Sequence, residues 1–176
     1  MTDEVLPPRG RDRGNKSLVR RATSADVNRV AAITVRAYVE DGFIDADNDY
    51  VEQLRDAAGR LSAAELWVAE IKGVLVGAVA FCPPGSTYRE LAAEGEGEFR
   101  MLAVDPDSRG QGVASALVQR CLDRCLELGL TDLVLCSMPE MVPAHALYTS
   151  MGFVRDPALD WEVHSDVTLI GFRITA

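Results

Sequence analysis

Leu102-Ala103-Val104-Asp105-Pro106-Asp107-Ser108-Arg109-Gly110-Gln111-Gly112-Val113-Ala114 joins an apolar extended run to the start of a long amphipathic segment. The stretch reads as strand, turn and helix. Asp105-Pro106 ends the strand, glycines bracket the turn, and the apolar period changes to helical at Val113. Backbone amides at such a helix start are not yet in helical hydrogen bonds, and they point outward beside the positive end of the dipole. Gly110 and Gly112 carry no Cβ, so an anionic group can approach the main chain closely. A terminus of this kind binds phosphate without a basic protein around it, and Arg109 adds one charge. A plain tight turn would share these features. So would part of a dinucleotide site, but there the third glycine position holds Ser115. No acid ends the next strand either, where Cys136 and Ser137 lie, and a dinucleotide unit usually opens its fold.

Residues 17–22, short and partly apolar, read as a first strand. Thr23-Ser24-Ala25-Asp26 then resembles an N-cap with an acid three residues on. Apolar positions from Val27 to Tyr38 follow a helical period, and a second helix is expected over residues 49–60. The period then changes. Residues 65–71 and 74–81 are strand-like around the Lys72-Gly73 turn, and Pro83-Pro84-Gly85 opens a loop to about Gly95. Residues 98–104 are the next strand, residues 112–128 a long helix, and residues 133–136 a buried strand. A helix at residues 143–150 with Gly152 as its cap follows, then an extended segment from Phe153 and a last strand at 167–174. His164 falls in a polar stretch, 160–166, read as loop.

The 176 residues carry 27 acidic and 18 basic side chains, a net charge of −9, with 48% hydrophobic content. Such a chain can bury a core and is not broadly disordered. Its acidity argues against non-specific nucleic-acid binding, because phosphates would be repelled. No apolar run approaches about 18 residues, so no membrane-spanning helix is expected. Residues 1–16 read as a flexible arm without a signal-type stretch, and residues 17–176 as one domain with a cytoplasmic location. Cys82, Cys121, Cys125 and Cys136 lack paired zinc spacing. Cys121 and Cys125 could share a helix face as a metal pair, but their leucine neighbours favour buried thiols, and no metal is expected.

Arg109-x-x-Gly112-x-Ala114, preceded by Leu102-Ala103-Val104-Asp105-Pro106, resembles the pyrophosphate-binding motif of the GNAT superfamily of acyl-CoA-dependent N-acyltransferases. Ala144-His145-Ala146-Leu147-Tyr148-Thr149-Ser150-Met151-Gly152-Phe153 is similar to its second signature, a helix ending in Leu-Tyr-x-x-x-Gly-Phe. Met141 stands where many relatives carry Asn. The resemblance implies an α/β domain whose mixed central sheet has about seven strands flanked by about four helices. It further implies acetyl-CoA as co-substrate, held by Met101, Leu102, Ala103, Val104, Arg109, Gly110, Gln111, Gly112, Val113, Ala114, Ser115, Ala144 and Tyr148.

The implied reaction is direct transfer of an acetyl group to a primary amine in a ternary complex. An alkyl ammonium at pH 7 lies about 3.4 units below its pKa, so the free base costs roughly 4.6 kcal/mol. A general base eases that step, and Glu98 is the expected one, with Glu96 and Glu94 as alternatives in the same run. Tyr148 is the expected acid toward the leaving thiolate. A catalytically weak acyl-CoA-binding module of the same fold is the alternative reading. Neither His145 nor His164 has a sequence-visible Ser or Cys partner, so a hydrolytic triad lacks support. The resemblance implies that the first two helices and their loop, with Glu40, Asp41, Asp45, Asp47 and Asp49, line the acceptor side; Asp156, Asp160, Glu162 and Asp166 precede the last strand. Convergence of these acids on the cleft would select a cationic small-molecule or peptide amine; a solvated acidic surface is the simpler alternative. Phe43, Ile44, Trp67 and Trp161 could supply apolar contacts. A homodimer is a family-level expectation.

Overall fold

Lys72 and Gly73 both take positive φ, 52° and 77°, which suits a tight hairpin turn between two valine-rich runs. The runs become β2 (Glu65–Ile71) and β3 (Val74–Cys82), and the sheet grows from this hairpin. The computed structural model describes residues 17–164 and 167–176; the expected arm at 1–16 and Asp166 lie outside the described residues. With β1 (Leu18–Arg21), β4 (Glu96–Val104), β5 (Asp132–Ser137), β6 (Val154–Arg155) and β8 (Val167–Thr175), the strand order is β1-β2-β3-β4-β5-β8-β6. Pairing is antiparallel except between β4 and β5.

Two layers of helix cover the sheet. Alternation along β2 sends Ala69 and Ile71 to one face and Leu66 and Val68 to the other. α4 (Val113–Leu128) buries Val113, Leu117, Val118, Cys121 and Cys125 against Phe81, Phe99, Leu133 and Leu135 on the first face. α5 (Val142–Ser150) adds Tyr148 to that core. α1 (Val27–Val39) places Val30, Ile33 and Ala37 on the second face. Cys121 and Cys125 are thus core thiols.

β4 and β5 pair only from Glu96 to Glu98 against Asp132 to Val134. Beyond that, β5 continues along β8 to Ser137, while β4 follows β3 to Val104. The strands splay into a V. β4 also carries a bulge: between the pairs Ala80–Arg100 and Ala78–Ala103, Met101 and Leu102 oppose Val79 alone, and Met101 has φ 51°.

Two expectations need correction. The helix expected over 49–60 is two, α2 (Tyr50–Arg55) and α3 (Ala57–Ala63), because Asp56 leaves helical geometry and its carboxylate caps the Gly59 amide at 2.7 Å. The polar stretch at 160–166 contains a strand, β7 (Trp161–His164), paired with β8. The described chain has eight strands and five α-helices, in line with the expected mixed sheet of about seven strands flanked by about four helices.

Arg60 stitches the helix break. Only 1% exposed, it donates from Nη1 to the Gln53 carbonyl and from Nη2 to the Leu54 carbonyl, both at 2.9 Å. Nη1 also lies 3.2 Å from Met101 Sδ, so the guanidinium ties the end of α2 to the bulge. Arg60→Met keeps the stem, orphans the Leu54 carbonyl and leaves the Gln53 carbonyl with only the Asp56 amide at 3.3 Å. A loss of about 3 kcal/mol is expected, roughly 6–12 °C in Tm by calorimetry, and a variant as stable as wild type would show that the guanidinium is dispensable. Asp105 offers a second test. Burial pushes its carboxyl up, but the Asp107 amide and the Arg29 and Arg36 guanidiniums pull it further down, leaving it below its ordinary value. Its contribution to stability is then complete above the unfolded carboxyl's pKa of about 3.9 and fades as pH falls through the lower folded value. Asp105→Asn should melt earlier at pH 7, and the gap from wild type should close below about pH 4.

Candidate active site

The turn after β4 is fastened before it reaches its glycines. Asp105, buried, accepts from Asp107 N at 3.1 Å and Arg36 Nη1 at 2.7 Å on Oδ1, and from Arg29 Nη2 at 2.6 Å on Oδ2. Both arginines come from α1, so the turn is pinned to the helix on the opposite face. Gly110 and Gly112 then take φ 73° and 76°, and a Cβ at either would meet no atom within 4 Å. Their left-handed backbone turns the chain into α4, whose first amides face open space. Gly77 lets this end of α4 approach β3: a Cβ there would stand 2.8 Å from Val113 Cγ1.

These amides open on a cleft of about 420 Å³ bounded by the end of β4, the end of α1, the start of α4 and α5. Of the residues expected to hold a cofactor, Leu102, Ala103, Val104, Arg109, Gly110, Gly112, Val113, Ala114, Ser115 and Ala144 line it. Gln111, Met101 and Tyr148 do not line it. Met101 turns its sulfur to Arg60 and to the Tyr88 hydroxyl at 3.3 Å. The Tyr148 ring is 5% exposed and packs on Phe99, Phe153 and Phe172 at 5.8, 5.9 and 5.7 Å. Burial pushes its phenol well above the ordinary value, so the hydroxyl keeps its proton. Its helical neighbour Leu147 does line the cleft, as do Met141, Tyr38, Phe43 and Asp41. Asp41 accepts from Arg109 Nη1 at 2.8 Å across the opening.

The three glutamates of the 94–98 run separate. Glu94 is exposed. Glu96 pairs with Arg173 and accepts from Ala93 N at 2.8 Å. Glu98, 1% exposed, gives Oε2 to the amides of Glu90, Leu91 and Ala92 at 2.9, 2.9 and 3.2 Å. Its Oε1 has no hydrogen bond and lies 3.9 Å from Arg100 Nε. Arg100 shares this face of β4, pairs with Glu90 at 2.7 Å, donates to the Tyr88 carbonyl at 2.9 Å, and stacks over the Tyr88 ring at 4.5 Å. Cys82 and Cys136 stand on the same face, and burial pushes each thiol up to about 12. Glu90, Arg100 and Tyr88 were not expected from the sequence. Alternation from Glu98 could have found Arg100, but nothing local announces that the 83–95 loop returns Glu90 to it.

His145 gains a partner that spacing did not reveal: Nε2 lies 3.2 Å from Ser137 Oγ, and burial lowers the imidazole's pKa. Among the described residues no carboxylate hydrogen-bonds to this ring, so the orienting third group of a triad is missing. Glu40, Asp156 and Asp160 pair with Arg36, Arg173 and Arg155, while Asp45, Asp47, Asp49 and Glu162 are exposed. Asp41 is the acid from these stretches that lines the cleft among the described residues. Trp67 is sandwiched between Arg21 and Arg120, away from the cleft.

Comparison with known proteins bears on the fold and the family. Rat N-acetyltransferase 8 is 40% identical over 114 residues, which is 60% of this chain and 48% of that protein. The chain spans about half the length, or less, of the curated relatives it matches. A GNAT-family acetyltransferase from Staphylococcus aureus Mu50 superposes with TM-score 0.71 at 12% identity, covering 91% of this chain and 99% of that one. The putative acetyltransferase yncA of Salmonella typhimurium, solved with acetyl-CoA, gives 0.64 at 21% identity, covering 91% and 94%. The model of the acetyltransferase (GNAT) family matches residues 28–153, and the chain belongs to that family.

Proposed function

We propose that this chain is an acetyl-CoA-dependent N-acetyltransferase acting on a primary amine in a ternary complex. The observation that carries the reading is one cleft in which the amides at the start of α4 and the bulged, unpaired edge of β4 meet. The pyrophosphate of acetyl-CoA fits the first, with Arg109 beside it. The pantetheine arm fits the second, running along residues 102–104 as an added strand, with a backbone N–H at the bulge donating to the thioester oxygen.

The amine then attacks the thioester carbon from the face that carries Arg100 and Glu90, and the carbonyl electrons move onto oxygen. Collapse of the adduct breaks the carbon–sulfur bond. Tyr148, next in chain to the cleft-lining Leu147, is the group we assign to the departing sulfur; burial raises its phenol above the ordinary value and makes it a weaker acid, so it acts by hydrogen bonding as charge develops on sulfur. The acceptor we propose is a small-molecule or peptide amine.

Thiol release from acetyl-CoA across polyamines, aminosugars, amino acids and peptide amines tests the reading. Release with at least one amine is expected; tight acetyl-CoA binding in calorimetry with no release would leave a binding module, and binding of NAD alone would refute the cradle assignment. Tyr148→Phe should lower kcat about 100-fold while the KM for acetyl-CoA stays within about threefold; unchanged kcat would remove Tyr148 from the chemistry. Gly112→Val forces a branched side chain into left-handed geometry at the cradle, and should weaken acetyl-CoA binding at least tenfold by calorimetry, roughly 1.4 kcal/mol.

A further inference from the structure

Within the acetyltransferase reading, we infer that Glu90 is the carboxylate that takes the proton from the acceptor amine, and that Glu98 is a positioning residue which builds the loop carrying it. The two carboxylates differ in what they can still bind. Glu98 is sealed beneath the sheet face: Oε2 is occupied by three backbone N–H groups, and Oε1 is inaccessible to solvent. An amine cannot reach either oxygen without dismantling the loop. Those three donors are the amides of residues 90–92, so Glu98 folds this segment over β4 and sets the backbone from which the Glu90 side chain projects.

Glu90 has the opposite character. Its side chain is 34% exposed, and its Oε2 is held 2.7 Å from Arg100 Nη2. Arg100 is in turn fixed by the Tyr88 carbonyl and ring. Arg100 directly precedes Met101, where β4 bulges, so the ion pair sets Glu90 one residue along the strand from the bulge at which the thioester is expected, outside the lining of the acetyl-CoA cleft itself. Arg100 and Glu98 face it from β4, Tyr50 from α2, Tyr88 from its own loop, Cys82 from β3 and Cys136 from β5. Arg100 is the cation of this group. Burial raises the Glu90 carboxyl above its ordinary value despite Arg100, which narrows its gap from the amine.

The protons balance. An ammonium gives one proton to Glu90, which passes it to water through its exposed side. The nitrogen pair then forms the carbon–nitrogen bond, and the carbon–sulfur bond breaks. The remaining excess N–H proton is lost as the amide forms, and it offsets the one taken up by the thiolate.

The test measures kcat/KM against pH for the full chain with saturating acetyl-CoA and an active amine from the panel, in wild type, Glu90→Gln and Glu98→Gln. Wild type should lose activity at low pH along a carboxylate limb set above the ordinary glutamate value. Glu90→Gln should lower kcat about 100-fold, abolish that limb and leave both Tm and acetyl-CoA affinity unchanged, with partial rescue by added formate. Glu98→Gln should lower Tm and kcat but keep the limb. The assignment is overturned if Glu90→Gln retains the limb and kcat within about threefold, or if Glu98→Gln removes the limb at unchanged Tm. A wild type that binds acetyl-CoA yet releases no thiol with any amine removes the acetyltransferase reading and this assignment together; an active wild type with an indifferent Glu90→Gln removes the assignment alone.

Discussion

A parallel pair that stops after three residues leaves two facing rows of backbone groups without ladder partners, which must find water or a ligand instead. β5 is held through its opposite edge, which pairs with β8 from Asp132 to Ser137, while its edge toward β4 stays unpaired beyond Val134. β4 leans on β3 instead and takes up an extra residue at Met101 and Leu102, so its other edge stays open to the cleft. The parting has to be held from both sides. On one, Phe99 locks into the core with Tyr148 and Phe153 at about 6 Å, and Gly77 admits the end of α4. On the other, Arg60 joins the end of α2 to the sulfur of Met101. Asp105 then ties the following turn to two arginines of α1. The groups that shape the cleft are mostly outside it.

The excess of acids falls into place against that frame. Of 18 cationic residues, 16 are arginine, and the buried or half-buried acids meet them as forks: Asp26 and Glu70 at Arg20, Glu65 at Arg124, Glu96 and Asp156 at Arg173. Such pairs close gaps between strands and loops more than they add stability, since pairs near water are worth about 0–1 kcal/mol each. Asp45, Asp47 and Asp49 face water. The picture of acids gathered to draw in a cation narrows to Asp41.

What was legible in the sequence was whatever depended on neighbours within a few residues. Period-2 runs around Lys72-Gly73 marked the β2–β3 hairpin, and Gly110-Gln111-Gly112 marked the entry to α4. The break at Asp56 was hidden because helical apolar spacing runs through it, and a side chain capping Gly59 looks like any acid in a helix. The bulge was hidden because the residue at positive φ is Met101, not glycine. Glu90 was hidden because its place follows from amide bonds to Glu98, eight residues on and across a loop. Ser137 and His145 are eight apart as well, and the 138–141 turn brings them together. In each case the deciding contact is a side chain reaching a backbone group or a distant strand, which no local period records.

A net charge of −9 and a cradle for phosphate are compatible once distances are compared. A charge about 20 Å from an anion in water costs about 0.2 kcal/mol, and screening with a length of about 8 Å reduces this roughly tenfold. Nine such charges together therefore contribute only a few tenths of a kcal/mol. A single hydrogen bond from an amide to a charged oxygen is worth about 1.5–3 kcal/mol, and the start of α4 offers several beside roughly half a positive charge. Surface acidity loses that comparison. Asp41 is different in kind, because it already holds Arg109 at 2.8 Å. An anion entering the cleft competes with that one carboxylate for the guanidinium, so the acidity that matters to binding here is local.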